Sequence, residues 1–255
     1  MIDKLGFDYE SYVLDWEEFK DLQLSFLKAS VPEADTPTDI AILATLHKIA
    51  SKYNIKYILS GGNFATEGIL PASWHYDPKD KKYLISIHKK YGSKKLKTFP
   101  TFGFQKEIYY KFIKGVKIIY LLNYIPYVKK STIKILEEEF DWKFYGGKHY
   151  ESVYTGFLHS YILPTKFNID YRRATLSTQI CAEAITREEA LGELTKLLHD
   201  PVKVESEKAY ISKKLGLSVN DFNAIMKLPP KTHRDYPNDE KMLSFIYRIY
   251  RKLKR

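Results

Sequence analysis

Apolar and polar positions alternate with two different periods in the first part of the chain. From Trp16 to Ala29 (WEEFKDLQLSFLKA), Trp16, Phe19, Leu22, Leu24, Phe26 and Leu27 fall at helical spacing. Glu17 and Glu18 occupy the first turn, where the helix dipole favours acids. Before it, Tyr9 to Leu14 (YESYVL) has the β-branched and aromatic content of a short strand ending at Asp15. Pro32 and Pro37 punctuate a loop, and Thr38 or Asp39 is placed to cap a second helix (DIAILATLHKIASKY). In that helix Ile42, Leu46, Ile49 and Ala50 recur at helical spacing, and Asn54 stops it. Ile55 to Leu59 (IKYIL) then reads as a strand, followed at once by Ser-Gly-Gly-Asn. Strand, helix, helix, strand and helix start argue an α/β layer with a parallel sheet.

After Pro71 the character changes. Lys79 to Asn123 reads as helical, interrupted at Gly92, Pro100, Gly103 and Gly115. Ser131 to Glu139 predicts a short helix with a Ser or Thr cap, and Thr186 to Glu189 (TREE) has capping-box spacing. Leu217-Ser218 opens another short helix. The expected division is therefore an α/β part over residues 1–71 and a mainly helical part over 72–255. No internal repeat is present.

Composition adds three constraints. With 44% hydrophobic and 28% charged residues, the 255-residue chain predicts a sizeable core under a charged surface. Its one cysteine, Cys181, rules out an internal disulfide and a cysteine-based zinc site. The opening MIDKLGFDYESYVLDW lacks the basic and apolar regions of a signal peptide, and the apolar run Ile118–Val128 is broken by Asn123 and Pro126. A soluble, cytoplasmic protein is expected. The net charge of +10 is uneven: Lys79 to Lys117 holds twelve Lys against Asp80 and Glu107, and KMLSFIYRIYRKLKR holds six basic residues and no acid. Such patches attract nucleic acid, anionic lipid or a phosphorylated small molecule, or are solvated lysine faces.

Three stretches carry chemistry. In SGGNFATEG, glycines at the carboxyl end of a parallel strand let backbone approach a ligand. Ser60, Gly61, Gly62, Asn63, Thr66 and Glu67 are the residues offered there. The alternative is a turn whose Asn or Thr caps the next helix. Neither GxxxxGK followed by Ser or Thr, nor GxGxxG, occurs. In FYGGKHYES, Lys148, His149, Tyr150 and Glu151 place a cation, an imidazole, a phenol and a carboxylate side by side after Gly146-Gly147. The alternative is a polar hairpin turn. In LPTKFNIDYRRATLSTQI, Lys166, Asp170, Arg172 and Arg173 form either a phosphate or carboxylate clamp or a salt-bridged helix start. His47, beside apolar helix positions, reads as structural, and no metal-ligand spacing is present.

Together, DWEEFKDLQLSFLKASVP, PTDIAILATLHKIASKYNIKYILSGGNFATEGILPASW, KLKTFPTF, LLNYIPY, YGGKHYES and LPTKFNIDYRRATLS resemble the N-acetyl sugar amidotransferases of lipopolysaccharide and pseudaminic-acid biosynthesis. The resemblance runs from about residue 5 to Tyr236. It implies an adenine-nucleotide α-hydrolase-like (PP-loop, Rossmann-like) sheet followed by a mainly helical region. The implied reaction adenylylates a sugar acetamido oxygen with ATP, with Mg2+ as cofactor. Ammonia from a glutaminase subunit working with a cyclase-like subunit then displaces AMP, and an acetamidino sugar forms. The substrate class is a nucleotide-activated or nonulosonic sugar.

The resemblance implies that Glu67, Lys148 and His149 act in catalysis. Asp15, Trp16, Ser60, Gly61, Gly62, Asn63, Thr66, Glu151, Arg172 and Arg173 would bind substrate or ATP, with Asp15 and Trp16 at the end of a neighbouring strand. The SGGxDS loop of the fold is missing. Ser60 to Gly62 is followed by Asn63-Phe64, in the position of the fold's second loop, so the chain resembles the carboxy-terminal two-thirds of such an enzyme. Two other readings stand beside it. One is a PP-loop enzyme modifying tRNA, ranked behind because the motifs match sugar enzymes. The other is a non-catalytic module that binds a partner or a membrane surface through its basic carboxy-terminal helix, where Met242, Phe245, Ile246, Ile249 and Leu253 make an apolar stripe.

Overall fold

The computed structural model describes residues 2–143, 150 and 152–253. The described chain is mostly helical with one small two-stranded parallel sheet, consistent with an α/β class. It divides into two compact units, each assembled from three separate stretches. One comprises Met1–Val13, Leu59–Pro71 and Ile118–Ile211; the other comprises Leu14–Ile58, Ala72–Lys117 and Ser212–Arg255.

The 14–58, 72–117 and 212–255 unit contains the largest hydrophobic cluster. Its Trp16–Ala29 helix starts where the side chain of Asp15 accepts the Glu18 N–H at 3.0 Å, and it ends at Ser30 in the left-handed region (φ 60°). Leu22, Phe26, Ile40, Tyr83, Leu84 and Ile87 are sealed from solvent, with Phe26 edge-on to Tyr83 at 5.8 Å. Tyr236 closes this core by donating its hydroxyl to the Ala29 carbonyl at 2.7 Å.

Two buried acids on the same helix hold a loop in place. Asp21 accepts from Ser93 N–H, the Ser93 hydroxyl and Lys94 N–H, and its Oδ2 lies 3.0 Å from His88 Nε2. Glu18 accepts from the amides of Lys97, Thr98 and Phe99. Burial opposes ionisation of both carboxyls, but these donors together hold each below its ordinary pKa.

The other unit buries Phe157, Leu158, Ile162 and Leu163. Strands β1 (Tyr57–Ser60) and β2 (Lys117–Tyr120) form the sheet.

Several expectations require correction. Residues 7–15 form no strand: Tyr9 and Val13 are exposed and nothing pairs their backbone, so Asp15 is a helix cap and not the end of a strand. The second helix begins at Thr36, with Pro37 inside its first turn, where a missing N–H costs nothing; neither Thr38 nor Asp39 caps it. The span from Lys79 to Asn123 is not helical throughout, because Lys117–Tyr120 pairs as β2. A short apolar run such as KIIY fits helix and strand equally by period, and here the available neighbour decides. The Thr186 capping box forms as its spacing predicts, and Ser218 opens its helix as expected, with a capping box to Asp221.

Candidate functional site

The apolar run of β1 stops at Ser60, and two glycines carry the chain over the carboxyl end of the sheet into the Phe64–Glu67 helical turn. Gly62 is closely approached: a Cβ there would lie 3.1 Å from the Tyr120 ring at the end of β2 and 3.3 Å from Glu67 Oε2, so those side chains would have to give way. Gly68 is more tightly constrained, since its Cβ would stand 2.7 Å from the Phe64 carbonyl oxygen, a backbone atom. Asn63 is buried and organises the turn. Its Oδ1 accepts from Thr66 N–H at 2.9 Å and the Thr66 hydroxyl at 3.1 Å, and its Nδ2 donates to the Gly61 carbonyl at 3.3 Å.

The loop after β2 joins the same site. Asn123 accepts the Phe64 N–H at 2.8 Å, tying the ends of the two strands together. The Tyr171–Cys181 helix packs against the turn from the other side, and its Thr178 hydroxyl accepts the Ile69 N–H at 2.9 Å. Ser60, Gly61, Gly62, Asn63, Thr66 and Glu67 are therefore brought together at the sheet edge where open α/β folds take ligands. Asn123, Tyr120 and Thr178 complete the site. The sequence signalled Asn123 only as a breaker after an apolar run.

The turn is nevertheless not an open phosphate cradle. The amide of Gly62 donates to Ser60 Oγ, that of Phe64 to Asn123, that of Thr66 to Asn63 Oδ1 and that of Glu67 to the Asn63 carbonyl. A phosphate bound through these four amides would have to displace partners already held. Among the described residues no group of three or more His, Cys, Asp or Glu is placed to hold a metal ion, so none is assigned to Mg2+.

The arginine pair separates into two roles. Arg172 is engaged internally: Nε and Nη2 donate to the Asp170 carboxylate, and Nη1 donates to the carbonyls of Glu193 and Lys196. It ties the start of its helix to the end of the Arg187–Thr195 helix, which favours the salt-bridged helix start over a ligand clamp for this residue. Arg173, next along, is exposed, as is Glu67. Lys166 is half-buried, and desolvation lowers its ammonium to about 8. Asp15 and Trp16 belong to the other compact unit, where Asp15 caps its helix and Trp16 lies 6.1 Å from Phe19. Gly146, Gly147, Lys148, His149 and Glu151 fall outside the described residues.

The other unit holds a second cluster of titratable groups that sequence reasoning missed. His233 stacks on Tyr76 at 4.1 Å, with Nδ1 3.8 Å from Glu33 Oε1 and Nε2 3.5 Å from Glu240 Oε1. Burial pushes the Glu33 carboxyl up to about 7, and Tyr83 donates to it at 3.4 Å. Hydrogen bonding from Arg234 instead holds Glu240 at about 2. His47, as expected, is structural: it sits against Phe102 at 4.7 Å with Nδ1 2.8 Å from the Leu43 carbonyl.

Residues 151–254 match the family described as LPS biosynthesis protein WbpG-like, C-terminal domain. The matched stretch includes Arg172, Arg173 and the helix that supports the Asn63 turn. The match supports a place in lipopolysaccharide biosynthesis. No curated protein matches the chain.

Proposed function

We propose that the chain works in lipopolysaccharide biosynthesis as the sugar-facing part of an ATP-dependent amidotransferase of the PP-loop type. The observation that carries this reading is the match of residues 151–254 to a lipopolysaccharide-biosynthesis family. In the proposed reaction the oxygen of a sugar acetamido group attacks the α-phosphorus of ATP and pyrophosphate leaves. Ammonia then adds to the activated carbon, and AMP departs with the former amide oxygen. A glutaminase subunit with a cyclase-like subunit supplies the ammonia, and the substrate is a nucleotide-activated or nonulosonic acetamido sugar.

No step is assigned to the amides of Gly62, Phe64, Thr66 and Glu67, which are already engaged. The role of this chain is to hold the turn organised by the buried Asn63 at the sheet edge and to offer Glu67 and Arg173 from exposed positions to orient the sugar. Parallel sheets are normally covered on both faces, and the exposed Tyr57, Leu59 and Tyr120 of β1 and β2 suit a larger nucleotide-binding α/β layer.

The test supplies ATP, ammonium and an acetamido nucleotide sugar to the chain together with a PP-loop-bearing portion. Release of AMP with replacement of the acetamido oxygen by nitrogen, seen by mass spectrometry, is the expected result. Absence of both products across acetamido nucleotide sugars and acetamido nonulosonates sinks the reading.

A further inference from the structure

The Glu240–Leu253 helix packs one side into its unit and leaves another side uncovered. Leu243 is buried, and Tyr247 on the same side donates its hydroxyl to Asp77 at 3.0 Å. Met242, Phe245 and Ile249, spaced by three and four residues, form an exposed stripe at 45%, 55% and 42% of full accessibility. Lys241, Arg248 and Lys252 stand at the positions four before, three after and seven after Phe245, so they run along the same exposed side. The two carboxylates at the start of this segment are already neutralised: Glu240 by Arg234 at 2.8 Å and Asp239 by Lys82 at 3.1 Å. An open groove of about 940 Å³ beside the first turns is lined by Lys82, Arg234, Lys241 and Arg248 together with those two acids.

We propose that this helix is a membrane-surface docking element, with Met242, Phe245 and Ile249 entering an anionic lipid interface and Lys241, Arg248 and Lys252 meeting its headgroups. An exposed apolar stripe beside a row of cations is what an interfacial helix requires. Charge complementarity selects the occupant. A second copy docking through the same side would set Lys241, Arg248 and Lys252 against an identical row, whereas an anionic leaflet offers both an apolar layer and opposite charge.

The test uses the full chain in co-sedimentation with phosphatidylcholine vesicles, with and without phosphatidylglycerol. Binding is expected only with the anionic lipid and is expected to weaken as salt rises. The double variants Phe245→Ser/Ile249→Ser and Arg248→Glu/Lys252→Glu are each expected to lower apparent affinity by at least about tenfold. Should either double variant unfold, Phe245→Trp keeps the question open to measurement, since its emission shifts to the blue on insertion. Three outcomes overturn the proposal: no binding to anionic vesicles, equal binding to neutral ones, or binding unchanged in both double variants. A dimer that the Phe245→Ser/Ile249→Ser change abolishes, without vesicle binding, also overturns it and assigns the face to a second copy.

Discussion

The core around Phe26 and Tyr83 and the sheet edge around Asn63 hold their shape by different means. In the first, large side chains are fully sealed from solvent and interlock edge-to-face. In the second, Leu59 and Phe64 on either side of the turn are 65% and 76% exposed, and order comes from a few directed hydrogen bonds through Asn63, Thr66 and Asn123. Burial of apolar area is worth several kcal/mol per large side chain, whereas a cap is worth about one. One region therefore carries stability, and the other supplies placement at little energetic cost. That division suits a ligand edge, which has to remain open while keeping its backbone fixed.

The sharpest way to break the comparison is to empty the core. Phe26→Ala should cost about 4 kcal/mol, read as a lowered urea midpoint, while Leu59→Ser at the exposed strand should stay within about 0.5 kcal/mol. Comparable losses at both sites would mean the sheet edge is a core in its own right.

Next comes Asp21→Ala, which strips the 93–94 loop of its acceptor and should cost about 2 kcal/mol at neutral pH. Because the folded pKa values of Glu18 and Asp21 are depressed, their contribution is full above the unfolded carboxylate pKa and is lost as pH falls through the folded one. Removing either acid should therefore flatten the acid limb of the stability–pH curve.

Glu33 behaves in the opposite sense. Its folded pKa of about 7 stands above the ordinary 4.5, so its contribution is full below the ordinary value and is lost as pH rises through about 7. Glu33→Gln should raise stability at pH above about 7 by about 2 kcal/mol and leave it unchanged below the ordinary carboxylate range, as measured by denaturation at both ends. The smallest effect is expected at the turn: Asn63→Ala should cost about 1 kcal/mol and Asn63→Asp much less, because aspartate keeps the capping oxygen. Hydrogen exchange at the Thr66 amide is the local readout, and equal protection in all three proteins would contradict the assigned cap.

Local signals in the sequence were enough for some elements. The Trp16–Ala29 helix forms over the span its apolar spacing predicts, Thr186 starts a helix as its spacing requires, and Ser218 opens the short helix expected there. β1 begins at Tyr57, two residues later than IKYIL suggests, and ends at the expected glycines. What the sequence could not reveal depends on partners far along the chain. Glu18 looks like a first-turn surface acid, yet its acceptors serve amides about eighty residues later. Asn123 reads as a breaker until the end of β1 lies beside it. The sequence alone leaves Asn63 open between ligand contact and cap, and its three bonds within the turn favour the cap. Arg172 and Arg173 are indistinguishable as a dipeptide, and only the carbonyls of Glu193 and Lys196 separate them.

The bond from the Tyr236 hydroxyl to the Ala29 carbonyl joins residues 207 positions apart. At the roughly 5–20 residues per second of translation, Ala29 leaves the peptidyl-transferase centre roughly 10–40 s before its partner is made. This contact of the core therefore closes only once Tyr236 has been made. For that interval the edge of Tyr83 that Tyr236 later meets at 6.3 Å lacks its cover, and the core around Phe26 is left one aromatic ring short.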